Sequence, residues 1–408
     1  MPADSPTPSV APAPTKTMDR HGLVDVLRGF ALLGILAVNI EYVAQHVELG
    51  YVDYNSTADL WTRGLVATLG QMKFFLLFSL LFGYGLALQV ESAEASGRPL
   101  GKRYGRRLLG LILLGVAHGM LFFPGDILVL YGVVGCLAYP LRNKSTATLL
   151  RGAALVYGLA ALIWLAFGLS DGLAGSNEQP GLLEPATLVA AQAESAEVFR
   201  AGSFSDVVAL NSSYWPWVLL FLLFVQGPPV FALFLVGVAL GRSDLLSNSG
   251  SHRPLAKRLF FFGGAVGVAG SAVGGYLAVL GGKWETMGFA LGFLFGPALT
   301  ASYIAGIALV LGRSRGLLAR LFESAGRMSL SVYLLESVVA TTLMYGYGAG
   351  HFGQTGPVAG LGITLGIWLG LSFLAMAWMR LARFGPFEWL LRSVTYAKLQ
   401  PIRKRPRP

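Results

Sequence analysis

Charged side chains are scarce in this sequence. Only 13% of its 408 residues are Asp, Glu, Lys or Arg, whereas 54% are hydrophobic and the mean hydropathy is +0.61. Ordinary soluble domains carry about 25% charged residues. The composition therefore excludes an ordinary water-soluble globule and predicts an all-α, polytopic integral membrane protein.

Cysteine and the common catalytic motifs are also nearly absent. Cys136 is the only cysteine, so a disulfide within the chain is excluded. The sequence contains no H-E-x-x-H or C-x-x-C metal pattern, and no glycine-rich nucleotide loop follows a strand pattern. We therefore expect neither a bound metal nor a resident cofactor.

Apolar stretches dominate the remaining sequence, and many of them are long enough to form a helix that crosses a bilayer core of about 30 Å. We predict about ten transmembrane helices, of which the fourth is short and the sixth is interrupted by Pro228 and Pro229. They cover residues 23–46, 66–90, 105–123, 126–141, 147–169, 214–241, 258–280, 287–312, 326–345 and 358–381.

Positive charge is distributed very unevenly between alternate loops. All but five of the 31 Lys and Arg residues lie in the segments on the side of the two termini. The exceptions are Arg63, Arg200 and Lys283 on the other side, and Arg28 and Lys73 within spans. The positive-inside rule then predicts cytoplasmic N- and C-termini. The basic loops should lie against anionic membrane lipids, and nucleic acid is not an expected partner.

The spans suggest five segments. Residues 1–18 are rich in Pro, Ala, Ser and Thr and predict a disordered tail. Residues 19–169 form a first membrane half of five helices, and 170–213 form an acidic extracytoplasmic loop. Residues 214–384 form a second half of five helices. Residues 385–408 form an interfacial helix and a basic cytoplasmic tail. We also expect that the protein can form a homo-oligomer.

The first span, VDVLRGFALLGILAVNI, carries polar residues on one side. At 100° per residue Asp25, Arg28, Asn39 and His46 share one narrow stripe. Two interpretations are open. The stripe either fixes helix packing through an interfacial ion pair and an interhelical hydrogen bond, or it lines a polar cavity.

A second polar pair stands in GVAHGMLFFPGDIL. His118 lies near the outer end of the third span, and Asp126 begins the fourth after a Pro124-Gly125 turn. Such a tight hairpin could let the carboxylate orient the imidazole as in a catalytic dyad. Alternatively, His118 makes a packing hydrogen bond while Asp126 caps the following helix.

Two further charges fall within predicted spans. Lys73 either neutralises an anionic substrate or pairs with an acidic residue. Glu336 shares one face of the ninth span with Ser329 and Tyr333. Both are predicted to bind substrate.

Several motifs resemble those of a known family. DVLRGFALLGILAVNI is similar to the opening signature of the YeiB family of bacterial membrane proteins. KFFLLFSLLFGYGLALQ, HGMLFFPGDIL, GRMSLSVYLLES and GPFEWLLRSVTY resemble its later motifs in the same order. The resemblance implies a multi-pass protein of the bacterial cytoplasmic (inner) membrane, with a C-terminal half of the domain-of-unknown-function type DUF418.

The D-x-x-R-G opening is also similar to that of transmembrane acyltransferases, namely the O-antigen acetylase-like group and the heparan-α-glucosaminide N-acetyltransferase group. These enzymes take an acyl group from cytoplasmic acyl-CoA and deliver it across the membrane, usually to a sugar. Asn39 resembles the asparagine of the second group. That group has a functional histidine somewhat further along, and His46 is a candidate for it.

The first functional hypothesis is therefore an acyltransferase that uses acyl-CoA and an extracytoplasmic acceptor, which is a glycan, a lipid or a small molecule. Its predicted catalytic residues are His118, Asp126 and Asn39, and its predicted substrate-binding residues are Asp25, Arg28, His46, Lys73 and Glu336. The alternative is a transporter or lipid flippase that uses the same polar cavity without covalent chemistry. A non-catalytic scaffold is the third hypothesis.

Overall fold

The computed structural model describes residues 18–45, 56–97, 99–173, 185–246, 251–311 and 316–404. His46 lies outside these ranges. The described chain is built of helices, with one isolated antiparallel bridge between Ala382 and Arg403.

The helices are numbered in chain order. The first eight are α1 Met18–Ala44, α2 Thr57–Leu69, α3 Lys73–Ser96, α4 Gly101–Leu121, α5 Leu128–Ala138, α6 Thr146–Leu173, α7 Pro185–Ala201 and α8 Phe204–Phe221. The remaining eight are α9 Gly227–Gly241, α10 Arg253–Arg258, α11 Gly264–Leu280, α12 Glu285–Val310, α13 Leu317–Arg327, α14 Ser329–Met344, α15 Pro357–Leu381 and α16 Pro386–Tyr396.

Seven described helical stretches are long and apolar enough to cross a membrane. They are Gly22–Ala44, Thr57–Ser96, Thr146–Leu173, Phe204–Gly241, Arg253–Leu280, Gly282–Val310 and Pro357–Leu381. The predicted all-α, multi-pass architecture is confirmed. The total of ten spans stays a prediction, because α5 and α14 are short and α4 begins with a basic turn.

The predicted second span, residues 66–90, is not one continuous helix. The amides of Gly70 and Gln71 both donate to the Val66 carbonyl and so end α2. Met72 then adopts a left-handed conformation with φ of 73°, which is unusual for a residue with a side chain. The helix resumes at Lys73 as α3. A local backbone break of this kind does not change the run of apolar residues. The prediction, which was based on that run, therefore did not include the break.

The predicted loop at 170–213 is largely helical where the structure describes it. α6 continues to Leu173, α7 runs from Pro185 to Ala201, and α8 already begins at Phe204. Ser203 and Asp206 form a capping box that starts α8, since each side chain accepts the backbone amide of the other. The predicted boundary at residue 214 therefore falls inside a helix.

Glycines bring the central helices into backbone contact. A Cβ on Gly326 of α13 would lie 1.8 Å from the Asp25 carbonyl oxygen, and one on Gly29 of α1 would lie 2.0 Å from that of Phe322. α3 and α9 meet in the same way, through Gly83 and Gly237. Close approach through small residues is how membrane helices maximise packing. α1 is thereby fixed in the interior of the bundle, where 61% of its apolar window is buried.

Candidate functional site

The α4–α5 hairpin holds the most buried contact between a histidine and a carboxylate in the described chain. Nδ1 of His118 lies 2.7 Å from Oδ2 of Asp126, and their side chains are 3% and 0% exposed. The other carboxylate oxygen accepts the amides of Leu128, at 2.8 Å, and Val129, at 3.4 Å. Asp126 therefore caps α5 and orients His118 at the same time, so the two sequence-based interpretations are geometrically compatible.

Two glycines of α4 allow neighbouring helices to approach it closely near His118. A Cβ on Gly115 would lie 2.6 Å from Oδ1 of Asp126, so any larger residue would displace the carboxylate. A Cβ on Gly119 would lie 2.1 Å from Nε1 of Trp215. Gly115 and Gly119 thus let α5 and α8 pack closely against α4 on the part of its surface next to His118.

Tyr333 of α14 completes the pair. Its hydroxyl donates to Oδ2 of Asp126 at 3.3 Å and accepts the Ile127 amide at 3.4 Å, and its ring centroid lies 5.3 Å from that of His118. The sequence placed Tyr333 on the same helix face as Glu336 but gave no sign that it would reach Asp126. Only the packing of α14 against the hairpin creates this contact.

The second ring nitrogen of His118 has a different environment. A carboxylate that is ionised only accepts hydrogen bonds, and Nδ1 of His118 would then be the donor to Asp126. Nε2 is buried and has no hydrogen-bond partner among the described residues. A neutral imidazole that donates from Nδ1 would carry its lone pair on Nε2, which is the arrangement that a general base requires.

A small cavity next to this pair joins α1 to α14. It is lined by Asn39, Tyr333 and Glu336, together with apolar side chains that include Phe123. It has room for about one water molecule. Glu336 is 2% exposed, and its Oε1 has no hydrogen-bond partner within the described ranges. The structure therefore brings Asn39, Glu336 and the hairpin into one neighbourhood.

Asp25 and Arg28 lie at the other end of α1. Nη1 of Arg28 is 3.0 Å from Oδ1 of Asp25, and the side chains are 30% and 14% exposed. A Cβ on Gly85 of α3 would lie 4.0 Å from Nη2 of Arg28. The eleven residues from Arg28 to Asn39 correspond to about 16 Å of helix. The predicted stripe thus consists of two polar sites at different depths.

Lys73 is separate from both sites. Its side chain is fully buried, and Nζ donates to the Ala67 carbonyl at 3.3 Å, near the end of α2. Its backbone carbonyl accepts the Thr300 hydroxyl at 3.1 Å. Among the described residues no carboxylate lies within 4.0 Å of Nζ, so the predicted acidic partner is not observed.

Asn211 is a buried polar residue that the sequence analysis did not single out. It is fully buried on α8, and its Nδ2 donates to the Phe122 carbonyl at 3.4 Å, one helical turn after His118. Its Oδ1 has no partner in the part of the chain described. The S-x-x-D capping signal at Ser203 could have revealed that Asn211 lies in a helix rather than in a loop.

Comparison with known proteins divides the chain into two parts. Residues 20–194 match the family model described as heparan-alpha-glucosaminide N-acetyltransferase, catalytic. Residues 240–398 match the family described as protein of unknown function DUF418. The first match contains Asp25, Asn39, His118 and Asp126. Glu336 falls within the second.

Relatives match the chain over nearly its whole length. Uncharacterized protein YxaH of Bacillus subtilis is 31% identical, with 96% of this chain and 98% of the relative covered. Uncharacterized protein YeiB of Escherichia coli is 30% identical, with 94% and 98% covered. No solved structure gives a significant match. The chain therefore belongs to the YeiB family.

Proposed function

We propose that this protein is an acyltransferase of the bacterial cytoplasmic membrane that moves an acyl group from cytoplasmic acyl-CoA to an extracytoplasmic acceptor. The observation that carries the proposal is the buried His118–Asp126 pair, whose Nε2 has no hydrogen-bond partner among the residues that the structure describes. The match of residues 20–194 to an acetyltransferase catalytic domain supports it, because both residues lie inside that match.

The chemistry follows from the pair. Nε2 of His118 removes a proton from the hydroxyl or amine of the acceptor. At the same time, the oxygen or nitrogen of the acceptor attacks the carbonyl carbon of the thioester. The carbon–sulfur bond then breaks, and the CoA thiolate takes the proton back from the imidazolium. Asp126 stabilises the transient positive charge on the ring and keeps its orientation. The amide of Asn39 is the proposed donor to the oxyanion.

The donor is proposed to enter from the side of Arg28. On α4, Arg107 precedes His118 by eleven residues, just as Arg28 precedes Asn39 on α1, so each helix carries an arginine about 16 Å from its proposed reacting group. Arg107 and Arg28 are close enough to interact electrostatically. Guanidinium groups bind phosphate well. This spacing suits a donor with phosphates at one end and a thioester at the other.

Apolar side chains cover the face of α1 between Arg28 and Asn39. Leu32 and Leu36 share the stripe of α1 with Arg28 and Asn39, and they are 0% and 4% exposed. We propose that these side chains move aside when the acyl arm enters. Such gating would also exclude water and so protect the thioester from hydrolysis.

An experiment with doubly labelled donor tests the proposal against its main alternative. Proteoliposomes receive acetyl-CoA with one isotope on the acetyl group and another on the CoA, and both labels are followed in the lumen, the lipid and the medium. Acyl transfer separates the two labels. If the labels stay together on one molecule under all conditions, the acyltransferase proposal fails.

Transport of an intact solute is the second candidate. The observation that favours it is the break between α2 and α3, where Met72 is left-handed and Lys73 is buried. Discontinuous helices often form substrate sites in transporters. Counterflow of a labelled solute without any covalent product would move this candidate ahead of the first.

A further inference from the structure

The end of the chain folds back on the last long helix. The Arg383 amide donates to the Ile402 carbonyl at 2.8 Å, and the Lys404 amide donates to the Leu381 carbonyl at 3.1 Å. These bonds hold the basic tail beside the C-terminus of α15. The exposed basic residues of this region are Arg380, Arg383, Arg392, Lys398, Arg403 and Lys404.

The acidic residue of this region points inward. Glu388 is the only Asp or Glu between residues 381 and 404. Its Oε1 accepts the amides of Leu330 and Ser331 at 2.7 and 3.0 Å, and its Oε2 accepts the Ser331 hydroxyl at 2.5 Å. Glu388 thus caps the N-terminus of α14, where a negative charge is favourable. Its charge is therefore withdrawn from the outer surface.

The opposite side of α16 is apolar. Leu390 and Val394 are 41% and 40% exposed, and Leu399 just after the helix is 75% exposed. At 100° per residue, Leu390 and Val394 lie about 160° and about 120° around α16 from Glu388. The Arg392 guanidinium stacks over the rings of Phe384 and Tyr396 at 4.8 and 5.1 Å. The outer surface is consequently apolar at its centre and cationic at its edge.

We propose that this C-terminal surface, residues 380–404, binds the anionic phospholipid headgroup layer of the membrane. Its exposed leucines and valine fit the boundary between headgroups and acyl chains, and its six exposed basic residues fit the headgroup charge. No outward acidic side chain opposes that binding, because Glu388 is turned toward α14.

The fold connects this surface to the candidate site. On the inner side of α16, Leu391 packs so close to α4 that a Cβ on Gly110 would lie 2.7 Å from its Cδ1. Glu388 is bonded to α14. Since α4 carries His118 and α14 carries Tyr333, the lipid surface is anchored to both helices that build the site.

A lipid titration of the purified full chain in detergent tests the proposal. Three proteins are compared by thermal unfolding: the unaltered chain, the variant R383Q/K398Q/R403Q, and the matched variant R253Q/K257Q/R258Q, whose exposed cations lie on α10. We expect phosphatidylglycerol to raise the Tm of the unaltered chain and, by a smaller amount, that of the α10 variant, because the α10 cations belong to another basic loop that should face anionic lipid. The shift should fall by at least half in the C-terminal variant.

Phosphatidylcholine and inorganic phosphate should produce no comparable shift. Equal shifts in all three proteins, or equal stabilisation by inorganic phosphate, would overturn the proposal. A second measurement does not depend on the stability of the triple variant. L390C is made in a C136S background, labelled with bimane and placed in nanodiscs that contain lipids brominated near the headgroup. Quenching is expected, and emission typical of water without quenching would also overturn the proposal.

Discussion

The two carboxylate oxygens of Asp126 serve two different helices: Oδ2 lies 2.7 Å from Nδ1 of His118 on α4, and Oδ1 accepts the first amides of α5. One side chain therefore caps α5 and orients the histidine ring. Because the two contacts use separate oxygens, mutation can remove one while keeping the other.

Replacing Asp126 by Asn should separate catalysis from folding. The Asn oxygen can still accept the Leu128 amide, but the amide NH₂ can only donate to Nδ1 of His118 and so places the proton on Nε2. We expect acyl transfer to fall by about 10²–10⁴-fold with a nearly unchanged Tm. Asp126→Ala also removes the cap and should cost about 1 kcal/mol of stability. Full activity in Asp126→Asn would contradict the assigned role of the carboxylate.

Gly326→Ala should damage the packing of α1. The added Cβ would lie 1.8 Å from the Asp25 carbonyl oxygen, which belongs to the backbone and can move only with the helix. We expect a loss of at least about 1–3 kcal/mol, measured as a lower Tm in detergent. Gly366→Ala on α15 is the matched control, because nothing lies within 4 Å of its Cβ. Similar Tm values for both variants would contradict the close contact between α1 and α13.

Glu388 should make stability depend on pH. Burial raises the pKa of this carboxyl above its ordinary value of 4.5, and its hydrogen bonds to Ser331 lower the pKa by less. Between the ordinary and the raised pKa the folded protein binds more protons than the unfolded chain, so this group's contribution to stability falls as pH rises.

The glutamine side chain in the Glu388→Gln variant cannot ionise. Groups that titrate alike in both proteins affect both Tm values equally and cancel in the difference between them. The Tm of the unaltered chain minus that of Glu388→Gln should therefore decrease as pH rises above 4.5 toward neutrality. A difference that stays constant or grows with pH would show that the pKa of Glu388 is not raised.

The orientation of the chain can be measured with an impermeant thiol reagent on intact cells. In a C136S background, Gln354→Cys in the loop between α14 and α15 should react, whereas Ser145→Cys before α6 should not. Both positions are exposed, so a difference in labelling reports the side of the membrane. The reversed pattern would place the termini outside.

Much of the helical architecture could be predicted from the sequence, because apolar length and the distribution of Lys and Arg are strong signals. The hairpin of His118 and Asp126 could also be predicted, since Pro124 and Gly125 join the two residues through a short turn. These features depend on local sequence alone, and the structure places both side chains as such a turn requires.

Other features depend on contacts between distant segments and could not be predicted. The bond from Tyr333 to Asp126 joins residues 207 positions apart, and the bond from Ser331 to Glu388 spans 57. The break at Met72 is a backbone conformation that no residue type announced. The start of α8 is different, because the capping residues Ser203 and Asp206 signal it in the sequence.

The release of CoA from acetyl-CoA by purified protein tests the central claim most directly. Its matched control is His252, which lies 3.1 Å from Asp244 in a partly exposed pair of the same chemical type. We predict that His118→Ala lowers the turnover of the folded protein by about 10²–10⁴-fold and also lowers the Tm, because Asp126 is left buried without its partner, whereas His252→Ala retains the turnover and the Tm of the unaltered chain. Turnover that survives in His118→Ala, or the absence of any turnover by the unaltered chain with acetyl-CoA, would contradict the account.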